Sequence, residues 1–461
     1  MAGRAFIARD RDQTLLLPPD IRDWLPAEHL VWMVLDTVAE LDLSAFYEAW
    51  RRQPRSRPGY QPSLLVALLV YAYTVGVRSS REIERRTRED VSFRVISAGH
   101  TLDHATIARF RASSANDLAG LFEQVLGICF ASGMGRVGSI AIDGTKIAAN
   151  AARHQNRTRE QLPTLRETAE RLIAEAEAVD RREDALYGNA AGAGHDLPPA
   201  LADAKTRREA IRRAKNRLAG ITRAEEELAE RDQAASEAHE RRLAERAAKE
   251  SENGHPFGGS KPQPPIPDPA ERVNLTNPQS RLQKTANGGY IQGLNAQFAV
   301  SDDHLVVATL VTQDRADSHQ FQPVVTEALS VLARVAPTAK VTVAVADHGY
   351  FSNANTTAFT DVLRVVIAPG GRRRDDQPPD HSIATCPARK QMHDALKDPA
   401  TRALYNRRGA TVEPVIGDIK TNKNGDRFSR RGEEANAFEL RLMALAHNIS
   451  RLYNHRRPQP A

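Results

Sequence analysis

Up to about residue 135 the apolar positions recur at helical spacing. Leu30, Val34, Leu35 and Val38 keep the 3–4 rhythm of one buried helix face. Pro62 and Ser63 stand where a helix starts, and the fourteen-residue apolar run 64–77 behind them predicts a fully buried helix. Arg78, Ser79, Ser80 and Arg81 end that run and open another helix through SREIERRTRED. Gly99 breaks the chain again, and Asp103 is placed to cap a basic helix, HATIARFRASS. Short helix, glycine turn and capped basic helix make a helix-turn-helix pattern. In that reading Arg109 and Arg111 are the nucleic-acid contacts; the plainer reading is a helical bundle with surface arginines.

After Gly133 the texture changes. VGSIAIDGTKIAAN is short, alternating and rich in β-branched residues, which predicts a strand. Residues 155 to about 250 are dominated by Ala, Glu and Arg, nearly balanced in charge, and predict long surface helices forming a hairpin broken near GNAAGAGHDLPP. Residues 251–270 are a Pro/Gly-rich linker. GGYIQGLNAQFAVSDDHLVVATLVTQ reads as an antiparallel hairpin turning at Ser301, Asp302 and Asp303. DSHQFQPVVTEALSVLARV reads as an amphipathic helix capped by Asp317 or Ser318, and KVTVAVADHGYFS as a strand buried on both faces. A short helix (NANTTAFTDV), a strand (LRVVIAP), a polar loop (GGRRRDDQPPDHS) and two helical stretches follow. The expected class is therefore α/β: a mixed sheet with flanking helices over 136–461, preceded by an all-α region over 1–135. A helical insertion over 155–270 interrupts it after its first strand.

Length and charge narrow this picture. A chain of 461 residues has room for two to four domains. Lys and Arg number 64 against 58 Asp and Glu, a net charge of +6 that admits a nucleic-acid partner. The excess is concentrated: residues 371–461 alone hold 18 basic and 11 acidic residues. Two cysteines, Cys129 and Cys386, exclude a disulfide-stapled scaffold and multi-Cys zinc ribbons. The 64–77 run is too short to cross ~30 Å of hydrocarbon, and MAGRAFIARDRDQ has no apolar core of a signal peptide. No membrane role is expected, and the expected location is cytoplasmic, at the nucleoid if DNA is the partner.

Three acids stand out by position. Asp143 is expected at the end of the first strand, Asp347 at the end of the buried strand, and Glu413 in the opening turn of a helix. A carboxylate directly after a run such as 341–346 belongs at the rim of the core, paired or metal-bound. For Glu413, Thr411 is the expected cap and Pro414 fits a first helical turn. Val412, Val415, Ile416 and Ile419 form its buried stripe, with Lys420 on the face of Glu413. Tyr405 and Arg408 are expected on a helix of their own just before it. Cleavage of a phosphodiester needs an activated oxygen nucleophile and a stabilised leaving oxygen. Two Mg²⁺ ions held by carboxylates do both. A Tyr, an Arg and a Lys beside such a site would grip phosphates.

Other signals carry less. Gly133, Gly135 and Gly138 match G-x-G-x-x-G, but they follow a helix and precede a strand, the reverse of a dinucleotide fingerprint. His100, Asp103 and His104 read as capping and a DNA-facing helix end rather than metal binding. Strand alternation turns His348 away from Asp347, and both cysteines read as inert.

The segment YNRRGATVEPVIGDIK resembles the bacterial insertion-sequence transposases of the DDE type, in the branch with a Tyr–Arg–Glu–Lys signature. It has two residues between Tyr405 and Arg408 and six between Glu413 and Lys420, as in that pattern, and four between Arg408 and Glu413 where the common form has three. YAYTVGVRSSREIERRTREDVSFRV, DHATIARFR, IDGTKIAANA, NLTNPQSRLQKT, GYIQGLNAQFAV and ADHGYFS extend the resemblance over most of the chain. It implies a ribonuclease-H-like fold, which is also the strand and helix order expected above. It further implies two Mg²⁺ ions (Mn²⁺ substituting) on Asp143, Asp347 and Glu413. Double-stranded DNA, as element ends and target, and a homodimer on paired ends are the implied partners. The rival reading is a non-cleaving DNA-binding regulator descended from a transposase; the three intact acids argue against it.

Overall fold

The computed structural model describes residues 20–51, 59–187, 204–256, 258–285, 288–370 and 386–457. Seven helices come first: α1 (Leu30–Glu40), α2 (Ser44–Arg51), α3 (Pro62–Thr74), α4 (Ser80–Glu89), α5 (Val91–Ile96), α6 (His104–Ser113) and α7 (Ala115–Ala131). Helix α3 is buried on nearly every side, as its unbroken apolar run requires, and Pro62 takes the first turn where its missing N–H is harmless. The turn from α5 to α6 passes through Ala98 and Gly99 with φ of 52° and 77°. Asp103 then caps α6 by accepting from the N–H groups of Ala105 and Thr106.

The sheet region opens with β1 (Ser139–Ala148). Next come β2 (Asn156–Thr158), α8 (Leu162–Tyr187), α9 (Ala204–Asn253), β3 (Arg272–Asn274), β4 (Arg281–Lys284), β5 (Tyr290–Ser301) and β6 (Val306–Thr312). The chain continues through α10 (Phe321–Val335), β7 (Val343–Ala346), α11 (Asn353–Thr357), β8 (Arg364–Ile367), α12 (Pro387–Ala395), α13 (Pro399–Thr421) and α14 (Glu433–Arg456). The main sheet has the order β4-β5-β1-β7-β8, with β6 also paired to β5. Strand β1 is antiparallel to β5 and parallel to β7, and β7 is parallel to β8.

The insertion leaves this sheet whole. Helices α8 and α9 pack on each other beside the two-stranded β2–β3 sheet. They close over a small apolar cluster of Leu162, Ile221, Ala224, Leu228, Val273 and Leu275. At ~1.5 Å per residue, the 50 residues of α9 extend about 75 Å. The break expected near 188–199 and the polar loop at 371–385, with Arg372 to Arg374, lie outside the described residues.

One apolar core joins the first helices to the sheet. Helix α14 bridges them, packing against α7, α3 and β6 with Leu440, Met443, Leu445 and Ile449 wholly buried. The texture change near residue 135 is thus not a gap in the core.

Five local expectations are corrected. Helix α10 starts at Phe321, and residues Asp317–His319 form a separate 3-10 turn, so neither Asp317 nor Ser318 caps it. Helix α13 runs unbroken from Pro399 to Thr421, so Glu413 is interior to it rather than at its opening. Its cap is Asp398, which accepts from the N–H of Thr401, while the hydroxyl of Thr411 donates to the carbonyl of Arg407. Tyr405 and Arg408 therefore share one helix with Glu413. The buried stripe of Val412, Val415 and Ile419 outweighs the helix-breaking tendency of Pro414, which sits on the exposed side. Finally, β1 continues past Asp143 to Ala148. Its parallel pairing with β7 stops at Ile142, while its antiparallel pairing with β5 carries on.

A buried polar cluster fixes α13 to its surroundings. Asp418 contacts His447 Nδ1 at 2.6 Å, and His447 Nε2 lies 2.9 Å from the carbonyl of His304. His304 Nδ1 in turn lies 2.9 Å from the carbonyl of Thr411. Burial opposes the charge on Asp418, but the hydrogen bonds from His447 and Asn422 and the charge of Lys423 outweigh it and hold the pKa at about 2. A carboxyl whose pKa falls on folding adds stability above its unfolded pKa and loses it as pH drops through the folded value. Asp418→Asn is therefore expected to lose about 2 kcal/mol at pH 7 and almost nothing near pH 2. Denaturant unfolding at the two pH values measures this; equal losses at both would show that the charge is not what stabilises.

Candidate active site

The parallel register builds the centre of the site. Ser139 to Ile142 face Val343 to Ala346 pairwise, so Asp143 and Asp347 are the next residues on two adjacent strands, at the same end. Neighbouring strands run ~4.8 Å apart. Asp347 Oδ1 accepts from the N–H of Gly349 at 2.9 Å, which closes a 3-10 turn over His348–Tyr350. Asp143 Oδ1 accepts from the N–H of Gly144, and Oδ2 accepts from Arg408 Nη1 at 2.8 Å. Burial pushes the Asp143 carboxyl above the usual carboxylate range and Asp347 adds to this, against the pull of Arg408 and the Gly144 N–H.

Helix α13 lies across β1, β5, β7 and β8 and supplies the surrounding cations. Burial works against the Arg408 charge, yet Asp143, Asp347 and Tyr405 raise its pKa above the ordinary guanidinium value. Tyr405 is half-buried on the same helix. Lys420 Nζ donates to the carbonyl of Lys146 at 3.4 Å; burial lowers its pKa, with Asp426 opposing. Glu413 is exposed, and its carboxylate folds back along the helix over Gly409. A Cβ at Gly409 would lie 2.9 Å from Glu413 Oε1. The glycine costs about 1 kcal/mol of helix propensity and leaves this carboxylate its place.

Asp143, Asp347, Arg408 and Tyr405 are thus brought into one electrostatic group, with Lys420 tied to the far end of β1. Glu413 shares their helix but makes no ion pair or hydrogen bond with either aspartate among the described residues. Among those residues the three possible ligands gathered within 4.8 Å of one another are Glu84, Asp103 and His104, at the start of α6. Their contacts are structural, as the sequence reading expects of Asp103 and His104. Asp103 caps the helix, and Glu84 accepts from the N–H of His104 and meets its ring Nδ1 at 2.6 Å.

The remaining sequence candidates separate. Arg109 is exposed on α6. Arg111 is turned inward: its Nη1 donates to the carbonyl of Arg78 at 2.7 Å and to the hydroxyl of Tyr73 at 3.3 Å. His348 Nδ1 lies 3.3 Å from the carbonyl of Ala368, just beyond β8. Burial pushes the Cys129 thiol up to about 12, consistent with an inert side chain.

Sequence reasoning missed a polar group beside these acids. Asp317, Lys146, Asn295, Gln297 and Tyr350 come from four different elements and meet at this end of the sheet. One signal was available: Asn295 and Gln297 are amides at alternate positions of an otherwise apolar strand, GLNAQFAV, and both are fully buried. Gly144 belongs to the same arrangement. A Cβ there would lie 2.3 Å from Gln297 Nε2, so a larger residue would displace it.

Two family comparisons bear on this geometry. Residues 19–113 match the family model described as a transposase domain (DUF772), and residues 379–453 match the one described as a transposase DDE domain. The first match holds α1 to α6. The second holds α12, α13 and most of α14, with Tyr405, Arg408, Glu413 and Lys420. These matches support a transposase of the DDE type, a class of enzyme that cuts and joins DNA. Asp143 and Asp347 lie outside both matches. No curated protein and no solved structure matches the chain.

Proposed function

We propose that this protein is an insertion-sequence transposase with a ribonuclease-H-like catalytic region. It binds the inverted-repeat ends of its element, cleaves DNA there and joins the freed 3′ hydroxyl to target DNA. The observation that carries this reading is the register of Asp143 beside Asp347, under a helix that also holds Arg408 and Glu413. Two antiparallel pairings followed by two parallel ones, with acids on β1 and after β7, support the ribonuclease-H-like assignment. The Tyr–Arg–Glu–Lys spacing supports the particular branch.

The donor set fits a divalent cation of the magnesium type. Asp143 and Asp347 are hard oxygen donors side by side, and burial together with their mutual repulsion favours a cation between them. Asp143, Asp347 and Glu413 would hold two Mg²⁺ ions, or Mn²⁺ in their place. The chemistry such ions supply is activation of the attacking oxygen and neutralisation of the leaving one. Arg408 balances the charge of Asp143 until then, and on DNA binding it is free to turn to a phosphate. Lys420 and Tyr405 extend that phosphate-binding face along α13. A homodimer on paired ends and a place at the nucleoid accompany this reading. Among the described residues no helix is long and apolar enough to cross a membrane.

The direct test is nicking of DNA carrying the element's own flanking repeats, with and without Mg²⁺. Binding to such ends without nicking would favour the regulator. Nicking without preference for them would leave only a nuclease.

Helix α6 makes a second prediction. If exposed Arg109 reads a base, Arg109→Ala is expected to weaken end binding by about 1–3 kcal/mol and relax sequence preference. If it contacts phosphate, affinity falls alike for all sequences and the salt slope becomes shallower. Arg111→Ala is expected to act on stability instead, because its guanidinium braces Arg78 and Tyr73. Titrations at two salt concentrations separate these outcomes, and unchanged affinity for Arg109→Ala would move recognition off α6.

A further inference from the structure

We propose that Asp317 is a positioning residue of the active site, whose charge beside Asp347 strengthens the hold of the site on a divalent cation. The inference rests on the transposase reading and deepens it.

Asp317 begins the 3-10 turn Asp317–His319 and caps no helix. Its Oδ1 instead accepts three side-chain donors: Asn295 Nδ2 at 2.7 Å, Gln297 Nε2 at 3.0 Å and Lys146 Nζ at 3.1 Å. Two of these donors are amides with no exposed surface, in the middle of a central strand. A buried amide is costly unless it is hydrogen-bonded, so strand β5 is adapted to hold this carboxylate. Gly144 is adapted too, since only a glycine lets Gln297 lie across β1. The hydroxyl of Tyr350 donates to Gln297 Oε1, which fixes which way that amide faces.

With Oδ1 saturated, Asp317 turns its other oxygen toward the loop after β7. A Cβ placed on Gly349 would lie 3.1 Å from Asp347 Oδ1 and 3.8 Å from Asp317 Oδ2. The two carboxylates thus flank one glycine, whose N–H is the donor that orients Asp347. Lys146 neutralises part of the Asp317 charge and ties the same turn to β1, through the carbonyl of Arg315 as well. Through Gln297 and Tyr350 the arrangement links Asp317 to the turn after Asp347, and its charge adds negative potential where a cation would sit.

The test is direct binding of Mn²⁺ to the full-length protein, followed by titration calorimetry, with thermal unfolding as the check on folding. Asp317→Asn keeps size and most hydrogen bonds but removes the charge. It is expected to weaken Mn²⁺ binding about tenfold. In nicking assays it should raise the Mn²⁺ concentration for half-maximal rate by the same factor, with the maximal rate retained. Lys146→Met removes the neutralising cation and is expected to shift binding the opposite way. A purely structural role for Asp317 predicts a lower melting temperature with unchanged Mn²⁺ affinity, and that result overturns the proposal. If Asp317→Asn does not fold, Asp317→Glu, which keeps the charge, must retain wild-type Mn²⁺ affinity; a tenfold loss there also overturns it. Asp143→Asn is the control. If it abolishes binding while Asp317→Asn stays within twofold of wild type, the positioning role fails and the active site stands. If Asp143→Asn binds Mn²⁺ normally, the active-site reading itself fails.

Discussion

Asp143→Asn and Asp347→Asn are each expected to lower Mg²⁺-dependent nicking of end DNA by at least about a thousandfold. Binding to the same ends should stay close to wild type. The amide keeps the size of the carboxylate and removes the charge that holds a hard cation. In the proposed reading the element ends are recognised through α6, where Arg109 is exposed, outside the group around β1 and β7. The two variants should differ in stability. Asn at 143 removes a buried carboxyl that opposes ionisation, but it also leaves Arg408 without its partner. Asn at 347 still accepts from the N–H of Gly349 and should melt close to wild type. Glu413→Gln is expected to match them in lost nicking without a loss of stability, because its side chain is exposed. Gel assays of nicking and of end binding on the same preparations decide the matter. Nicking within tenfold of wild type would remove that residue from the site.

Arg78→Ala should produce the largest loss of stability, about 3–5 kcal/mol, as for other broken buried ion pairs. Arg78 follows α3, inside the first matched segment, and Glu439 lies on α14, inside the second. Their side chains meet at 2.9 Å, with 11% and 0% of their surfaces exposed. Arg78 Nη2 also donates to the carbonyl of Arg427, and the Arg78 carbonyl accepts from Arg111. Glu439 further accepts from the N–H and hydroxyl of Ser429 and from the N–H of Arg430. Removing Arg78 leaves a carboxylate with no surface facing only neutral donors, which is where the cost arises. Urea unfolding measures it. A loss below about 1 kcal/mol would show that the Ser429 and Arg430 donors suffice for Glu439.

Much of the architecture was legible locally. The apolar run 64–77 gives the buried helix α3 as far as Thr74, where Gly76 at φ 76° stops it, the turn at Ser301 to Asp303 joins β5 to β6, and the charged stretch after β1 is the helical pair α8 and α9. These follow from apolar periodicity and turn chemistry, which act within a few residues. Helix ends and strand lengths were less legible. Pro414 predicts a helix start, but the buried stripe on α13 extends through it because packing outweighs propensity.

By itself, the sequence determined the candidate acids and cations of the proposed site and the kind of element that carries each, but not Asp317 and the buried amides that hold it. Asp143 and Asp347 follow apolar runs, and Arg408, Glu413 and Lys420 lie at fixed intervals on helical sequence, all properties of short segments. Only the tertiary structure decided which of them meet. Between Asp143 and Asp347 lie 203 residues, and nothing local brings them together; the parallel register of β1 and β7 does. Side-chain direction was settled in the same way. Arg111 turned into the protein because the Arg78 carbonyl lies beside it, while Arg109 on the same helix stayed in solvent. Asp317 could have capped a helix, but three donors from β1 and β5 took its carboxylate into the site. A carboxylate goes where its donors are, and those donors are set by strand pairing across long stretches of chain rather than by neighbours in sequence.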